Sequence, residues 1–303
     1  MKKVCLHFKQ RKLIQYDKSL LYRCPQCGLI FANKKKLNLK YLYKNYYKNE
    51  LSIGKFRNGV EMVVKLFRFF RAFKVYTLSR YSQTILDVGS GRGFMLYFLK
   101  KYYHYHQLVG TQIDQRMIRF SRKKLGLKIY GKDLLKIPFK KASFDIVTVW
   151  HVLEHLKNPE KYLKKISQLL KKKGKLIIEV PNFNSWTRSL TGRYWLGLDL
   201  KYHLNFFTPQ SLSYLLLNQN FKIKNVHTFS LEYSIFFSVQ SVVSRLTKSD
   251  HLFFSWLQVE KFKPEIIYHL LLFLLFTPLC FLINLMLFFS KKGEILLVVA
   301  EKK

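Results

Sequence analysis

Acidic residues are what this 303-residue chain is short of, with 17 Asp plus Glu set against 54 Lys plus Arg and a net charge of +37. That excess is far beyond what solubility asks of a domain. It implies an anionic neighbour, either a membrane surface or a nucleic acid, unless it reflects a compositional bias toward Lys, Phe, Tyr and Leu together. Cysteine is also scarce: Cys5, Cys24, Cys27 and Cys280 are the only four. No disulfide framework can be built from them, so a reducing compartment is expected. The first residues, MKKVCLHFKQRKLIQYDK, begin with lysines but hold no apolar stretch of seven or more and no small-residue cleavage site. They are therefore not read as a secretory signal, and the protein is expected on the cytoplasmic side. Internal repeats are lacking as well. What the chain has in quantity is apolar surface, 49% hydrophobic and 17% aromatic residues, which excludes a disordered tail.

Composition changes four times along the chain. Residues 1–35 are polar and carry three of the cysteines; 36–80 form a helical lead-in, with Val60, Val63, Val64, Phe67 and Phe70 at helical spacing. Residues 81–230 alternate short apolar runs with amphipathic segments, 231–290 are aliphatic and aromatic, and 291–303 return to a strand-like run. The runs 84–89, 107–113, 127–131, 144–150 and 175–180 are continuous rather than alternating, the pattern of strands covered on both faces. Helical segments lie between them, such as 158–170 with Tyr162, Leu163, Ile166 and Leu169 on one stripe. Strands in alternation with helices imply βαβ units and a parallel sheet. With 221–229 and 295–300, seven strands are available.

Asp87-Val-Gly89-Ser-Gly91-Arg-Gly93 closes the first of these strands and opens a helix. Glycines there permit a tight turn and close approach of the backbone to a ligand, and the free N–H groups of the helix start favour polar or anionic groups. The GxGxG spacing is tighter than the dinucleotide GxGxxG. It resembles motif I of the class I S-adenosylmethionine-dependent methyltransferases. Asp133-Leu134, Pro138-Phe139, Phe144-Asp145, His151-Val-Leu-Glu154-His155, Asn158-Pro159, Lys173-Gly174, Pro181-Asn182 and His203-Leu-Asn205-Phe-Phe207-Thr208-Pro209 follow in order, similar to an HVLEH-type subfamily that often begins with a zinc-knuckle-like CxxC segment.

The resemblance implies an α/β, Rossmann-like, seven-stranded sheet, mostly parallel with the last strand antiparallel, over residues 81–230 and 291–303. It implies that Asp87, Gly89, Gly91 and Gly93 cradle the methionine end of S-adenosylmethionine and that Asp133 and Leu134 meet its adenine. Family members carry an acid two residues after the glycine of the second strand, for the ribose hydroxyls; here Gln112 stands there, with Asp114 nearby. His151, His155 and His203 are candidates for positioning or deprotonating an acceptor, since a neutral imidazole is a usable base near pH 7. HxxEH also matches the inverted zinc peptidases, a reading that needs a free helix. Cys24-Pro-Gln-Cys27-Gly28 has the spacing of a zinc half-site, and Cys5 and His7 could complete four ligands. The expected cofactors are S-adenosylmethionine and, through that knuckle, zinc.

From 266 to 290 no residue is charged, longer than the ~20 residues a transmembrane helix needs. A single crossing would leave 295–300 on the wrong side of the bilayer to join the sheet, and Lys261, Lys263, Lys291 and Lys292 put positive charge at both ends. Thr277-Pro278 splits the run, so a re-entrant or interfacial helical hairpin is expected, with a buried helical pair or a dimer contact as the alternative. The function expected from sequence is a methyltransferase at the inner face of a membrane, peripheral or monotopic, acting on a lipid-linked, glycan or isoprenoid-type acceptor. RNA methylation and a non-catalytic scaffold of the same fold are the rivals.

Overall fold

The computed structural model describes residues 11–16, 19–32, 58–79, 84–105, 107–258, 261–287 and 290–303. In chain order the strands are β1 (Arg11–Tyr16), β2 (Ser19–Arg23), β3 (Ile30–Ala32), β4 (Thr84–Val88), β5 (Gln107–Thr111), β6 (Lys128–Tyr130), β7 (Phe144–Trp150), β8 (Leu170–Pro181), β9 (Asn205–Phe206), β10 (Phe221–His227) and β11 (Ile295–Lys302). The helices are α1 (Asn58–Ser79), α2 (Phe94–Tyr103), α3 (Gln115–Leu125), α4 (Pro159–Leu169), α5 (Trp186–Thr191), α6 (Pro209–Asn218), α7 (Ser234–Thr247), α8 (Leu252–Leu257) and α9 (Glu265–Met286).

Seven strands form one sheet in the order β10-β11-β8-β7-β4-β5-β6. β4, β5, β6, β7 and β8 run parallel, and β11 inserts antiparallel between β8 and β10. The continuous apolar runs are buried as their composition demands: Ile85, Leu86, Ile146, Val147, Val149, Ile177 and Ile178 have essentially no exposure, with helices covering both faces. Because β11 pairs with β8 along its length, from Ile295 against Pro181 to Glu301 against Lys175, the apolar segment before it begins and ends on this domain.

A second sheet, β1-β2-β3-β9, was not foreseen. The Cys24–Gly28 turn joins β2 to β3; the Gly28 N–H bonds the Cys24 carbonyl, the Cys24 N–H bonds the Leu29 carbonyl, and Gly28 takes φ +70°. β9, a two-residue strand supplied by the main domain, pairs with β3 and so ties the N-terminal sheet to the loop that carries His203.

α9 corrects the hairpin expectation, since it runs unbroken through Pro278. Proline removes one N–H from the helix ladder, and the Thr277 hydroxyl nearby bonds the Phe273 carbonyl at 2.6 Å. Packing outweighs the lost bond: Ile266, Phe273 and Cys280 pack with Val239 and Val243 of α7 and Phe253 of α8, and Asn284 donates to Ser238 Oγ at 2.8 Å. The opposite face of α9 exposes Ile267, Tyr268, Leu270, Leu271, Leu274, Leu275, Leu279, Leu282 and Leu285. By length and composition α9 can cross a membrane.

Candidate active site

A cavity of about 1200 Å³ opens at the carboxyl ends of β4, β5 and β7, where open α/β sheets bind ligands. Its floor is the glycine loop. Gly89, Gly91 and Gly93 all take positive φ, at 72°, 55° and 76°, which explains why glycine is needed at each. A Cβ on Gly89 would lie 2.4 Å from Val152 and one on Gly93 2.6 Å from Leu127, whereas one on Gly91 would enter open space. The loop is pinned by the Ser90 N–H to the Thr111 carbonyl at 2.9 Å. Asp87 is buried and accepts from the Thr148 hydroxyl at 2.7 Å; burial pushes its pKa up to about 6, against the lowering effect of that bond and of Arg71 and Arg68.

On the far side of the loop, Asp133 accepts from the Leu135 N–H at 2.8 Å and from the Tyr162 hydroxyl, and Leu134 is buried; both line the cavity. Gln112 also lines it, but its amide oxygen is turned back to its own turn, accepting from the N–H groups of Ile113 at 2.7 Å and Asp114 at 3.1 Å. That oxygen is therefore committed to the backbone, leaving the amide NH₂ as the polar group Gln112 has to offer. Asp114 caps α3 through the Arg116 N–H and pairs with the Arg116 guanidinium at 3.0 Å. The cavity lining includes Thr111, Gln112 and Ile113 and leaves Asp114 out.

The histidines are brought together, though not on a helix face. His151 ends β7 in a left-handed conformation at φ +51°, and Leu153–His155 is a single 3₁₀ turn. This geometry also removes the zinc-peptidase reading, whose HxxEH must lie on a helix. His151 sits between two buried acids, with Nε2 3.1 Å from Glu179 Oε1 and Nδ1 3.4 Å from Glu154 Oε1. Burial by itself would lower its pKa, but Glu154 and Glu179 outweigh that and hold it at about 9. His151 is therefore an imidazolium at pH 7, a cationic donor rather than the neutral base expected from sequence. His155 goes the other way: burial lowers its pKa, with Glu154 opposing, so it remains neutral at pH 7. The rings of His155 and His203 stand 4.9 Å apart.

A charged network behind His151 escaped the sequence reading. Arg71 of α1 reaches Glu232 at 2.7 Å and Glu179 at 3.6 Å and lies over the Trp150 ring at 4.5 Å; Arg68 also pairs with Glu232. Tyr233 packs on His151 at 4.3 Å. The available signal was scarcity: in a chain this poor in acids, Glu154, Glu179 and Glu232 stand among apolar neighbours, where an acid survives only if paired.

Cys24 and Cys27 are buried in the main core beside Leu29, Phe207 and Leu212. Cys5 and His7 lie outside the described residues. Among the described residues the cluster of potential ligands is Glu154, His155 and His203, which does not include these cysteines.

The residues present fit S-adenosylmethionine: an open cradle at Gly91, a buried acid at Asp87 and the Asp133-Leu134 step around one cavity. That group supplies an electrophilic sulfonium methyl, so the chain's task is binding and alignment. A methyltransferase-domain family model matches residues 62–226, more than half of the chain. Demethylmenaquinone methyltransferase of Thermotoga maritima is 27% identical over 182 residues, covering 53% of this chain and 76% of that protein. Ubiquinone biosynthesis O-methyltransferase of Coxiella burnetii is 28% identical over 105 residues, covering 33% of this chain and 44% of that protein. Among solved structures, a SAM-dependent methyltransferase from Archaeoglobus fulgidus superposes with a TM-score of 0.51 at 19% identity, covering 87% of this chain and 99% of that one. The [4+2]-cyclase SpnF does so at 0.50 and 16%, covering 77% and 80%, a reminder that such likeness speaks for the fold alone. The chain belongs to the methyltransferase-domain family and is an S-adenosylmethionine-dependent methyltransferase.

Proposed function

We propose that this enzyme methylates a hydroxyl or similar nucleophile of a lipid-linked, glycan or isoprenoid-type acceptor taken from the cytoplasmic face of a membrane, to which it is attached peripherally or monotopically. Asp87, Gly89, Gly91, Gly93, Gln112, Asp133 and Leu134 hold the cofactor in this reading, Asp114 keeps the turn beside them, and His151, His155 and His203 face the acceptor.

One observation carries it. α9 is two-sided: Phe273 and Thr277 line the cavity, while Leu270, Leu271, Leu274 and Leu275 of the same helix are bare apolar surface. Leu231, Phe236, Phe237 and Phe254 are also in the lining, so the cavity that holds the glycine loop offers apolar side chains for a lipid-type tail to pack on. A contiguous apolar face of this kind on a chain with net charge +37 suits an anionic leaflet, where each nearby Lys or Arg contributes about 1 kcal/mol. The quinone-type names of the Thermotoga and Coxiella relatives agree with a small apolar acceptor.

The test incubates the enzyme with membrane extracts and methyl-labelled cofactor, followed by mass spectrometry. Label in the organic-soluble or glycan fraction is expected. Label confined to RNA or protein would overturn the acceptor class.

A further inference from the structure

We infer that Glu154, His155 and His203 form a binding site for one divalent metal ion inside the cavity, distinct from the Cys24/Cys27 pair. One donor atom from each lies within 4.8 Å of the other two. Glu154 is 1% exposed; the His151 imidazolium stands beside one of its oxygens, Nδ1 to Oε1 3.4 Å, and among the described residues the other oxygen, Oε2, has no hydrogen-bond partner. A carboxylate buried this deeply with one oxygen unsatisfied is stabilised by a further cation on that oxygen.

The histidines are set up to complete the site. His155 Nδ1–H donates to the Tyr202 carbonyl and His203 Nδ1–H to the Gly197 carbonyl, each at 3.0 Å. A carbonyl only accepts, so Nδ1 carries the proton of each neutral ring and Nε2 is the nitrogen that would ligate a metal. Backbone carbonyls orient metal-ligating imidazoles in this way. The scaffold is rigid, since the Leu204 N–H bonds the Glu154 carbonyl at 2.8 Å and the Asn205 amide bonds the Leu156 carbonyl at 2.6 Å, locking the two ligand-bearing segments together.

Two imidazoles and one carboxylate suit a borderline transition ion such as Zn²⁺ and leave coordination positions open. All three residues line the cavity that holds the glycine loop, so an open position would take an oxygen of the acceptor. The metal site stands or falls independently of the lipid reading.

The experiment strips the full chain with a chelator and titrates it with Co²⁺ alone, followed by visible absorption. The expected result is one equivalent bound with a nitrogen- and oxygen-ligand spectrum, weakened at least tenfold in Glu154→Gln and in His203→Ala. Both variants are expected to bind S-adenosylmethionine as before, which shows that they are folded. If His203→Ala loses cofactor binding, Glu154→Gln, which keeps side-chain volume, decides. Absence of that spectrum in the unmodified chain, its persistence in Glu154→Gln, or only the near-ultraviolet charge-transfer band of thiolate ligands would overturn the proposal.

Discussion

Gly91 and Glu294 show how much a single residue does here. Gly91 has φ +55° and open space where a Cβ would stand, so Gly91→Ala takes volume from the ligand rather than from the core. It also strains the backbone by about 1–2 kcal/mol. We expect calorimetric affinity for S-adenosylmethionine to fall at least tenfold, about 1.4 kcal/mol, in a variant that still folds; unchanged affinity would remove Gly91 from the cofactor site. Glu294 is fully buried and accepts from the Trp195 indole at 2.9 Å, and burial pushes its pKa up to about 8. Between the unfolded value, about 4.3, and 8 the native state keeps a proton that the unfolded chain has lost. Stability should therefore decline as pH rises through that window and level off above it. His151 also contributes a decline, from about 6.5 to about 9, so the comparison is differential. In urea titrations from pH 5 to 9, Glu294→Gln should have a shallower slope than the parent, and identical slopes would refute the buried-acid account.

Among the elements, α9 combines two roles that the sequence pattern could not separate. Its inner side is held by α7 and α8, so its outer leucines are free of structural duty. Leu271 and Leu275 are 59% and 66% exposed, and replacing both with Glu should cost little stability. Co-sedimentation with anionic vesicles should drop several-fold while cofactor affinity stays the same. Equal sedimentation of parent and variant would show that this face is not the attachment surface.

For the molecule as a whole, the charge of +37 makes RNA binding at low salt an expected result with no bearing on function. Counterion release predicts affinity that falls steeply with added salt and shows no sequence preference. Turnover is the discriminating measurement: methyl label transferred by the enzyme in a mixed extract should survive nuclease treatment intact. Nuclease-sensitive label would instead establish RNA as the acceptor.

The sheet and the glycine loop were legible in the sequence because their signals are local. Continuous apolar runs such as 144–150 mark strands buried on both faces, and glycine at 89, 91 and 93 answers a backbone requirement set within a few residues. Only the tertiary structure decided the rest, because it depends on groups distant in the chain. Arg71, Glu179 and Glu232 become one network only when α1 packs over β8. Gln112 looks like a ribose ligand until its oxygen is seen to close its own turn, and Pro278 looks like a helix break until α7 supplies the packing that outweighs it. His203 meets Glu154 and His155 because the Leu204 N–H bonds the Glu154 carbonyl and the Asn205 amide the Leu156 carbonyl, joining segments almost fifty residues apart. A motif states which donors are present, whereas the spacing that lets them share a ligand is set by the fold.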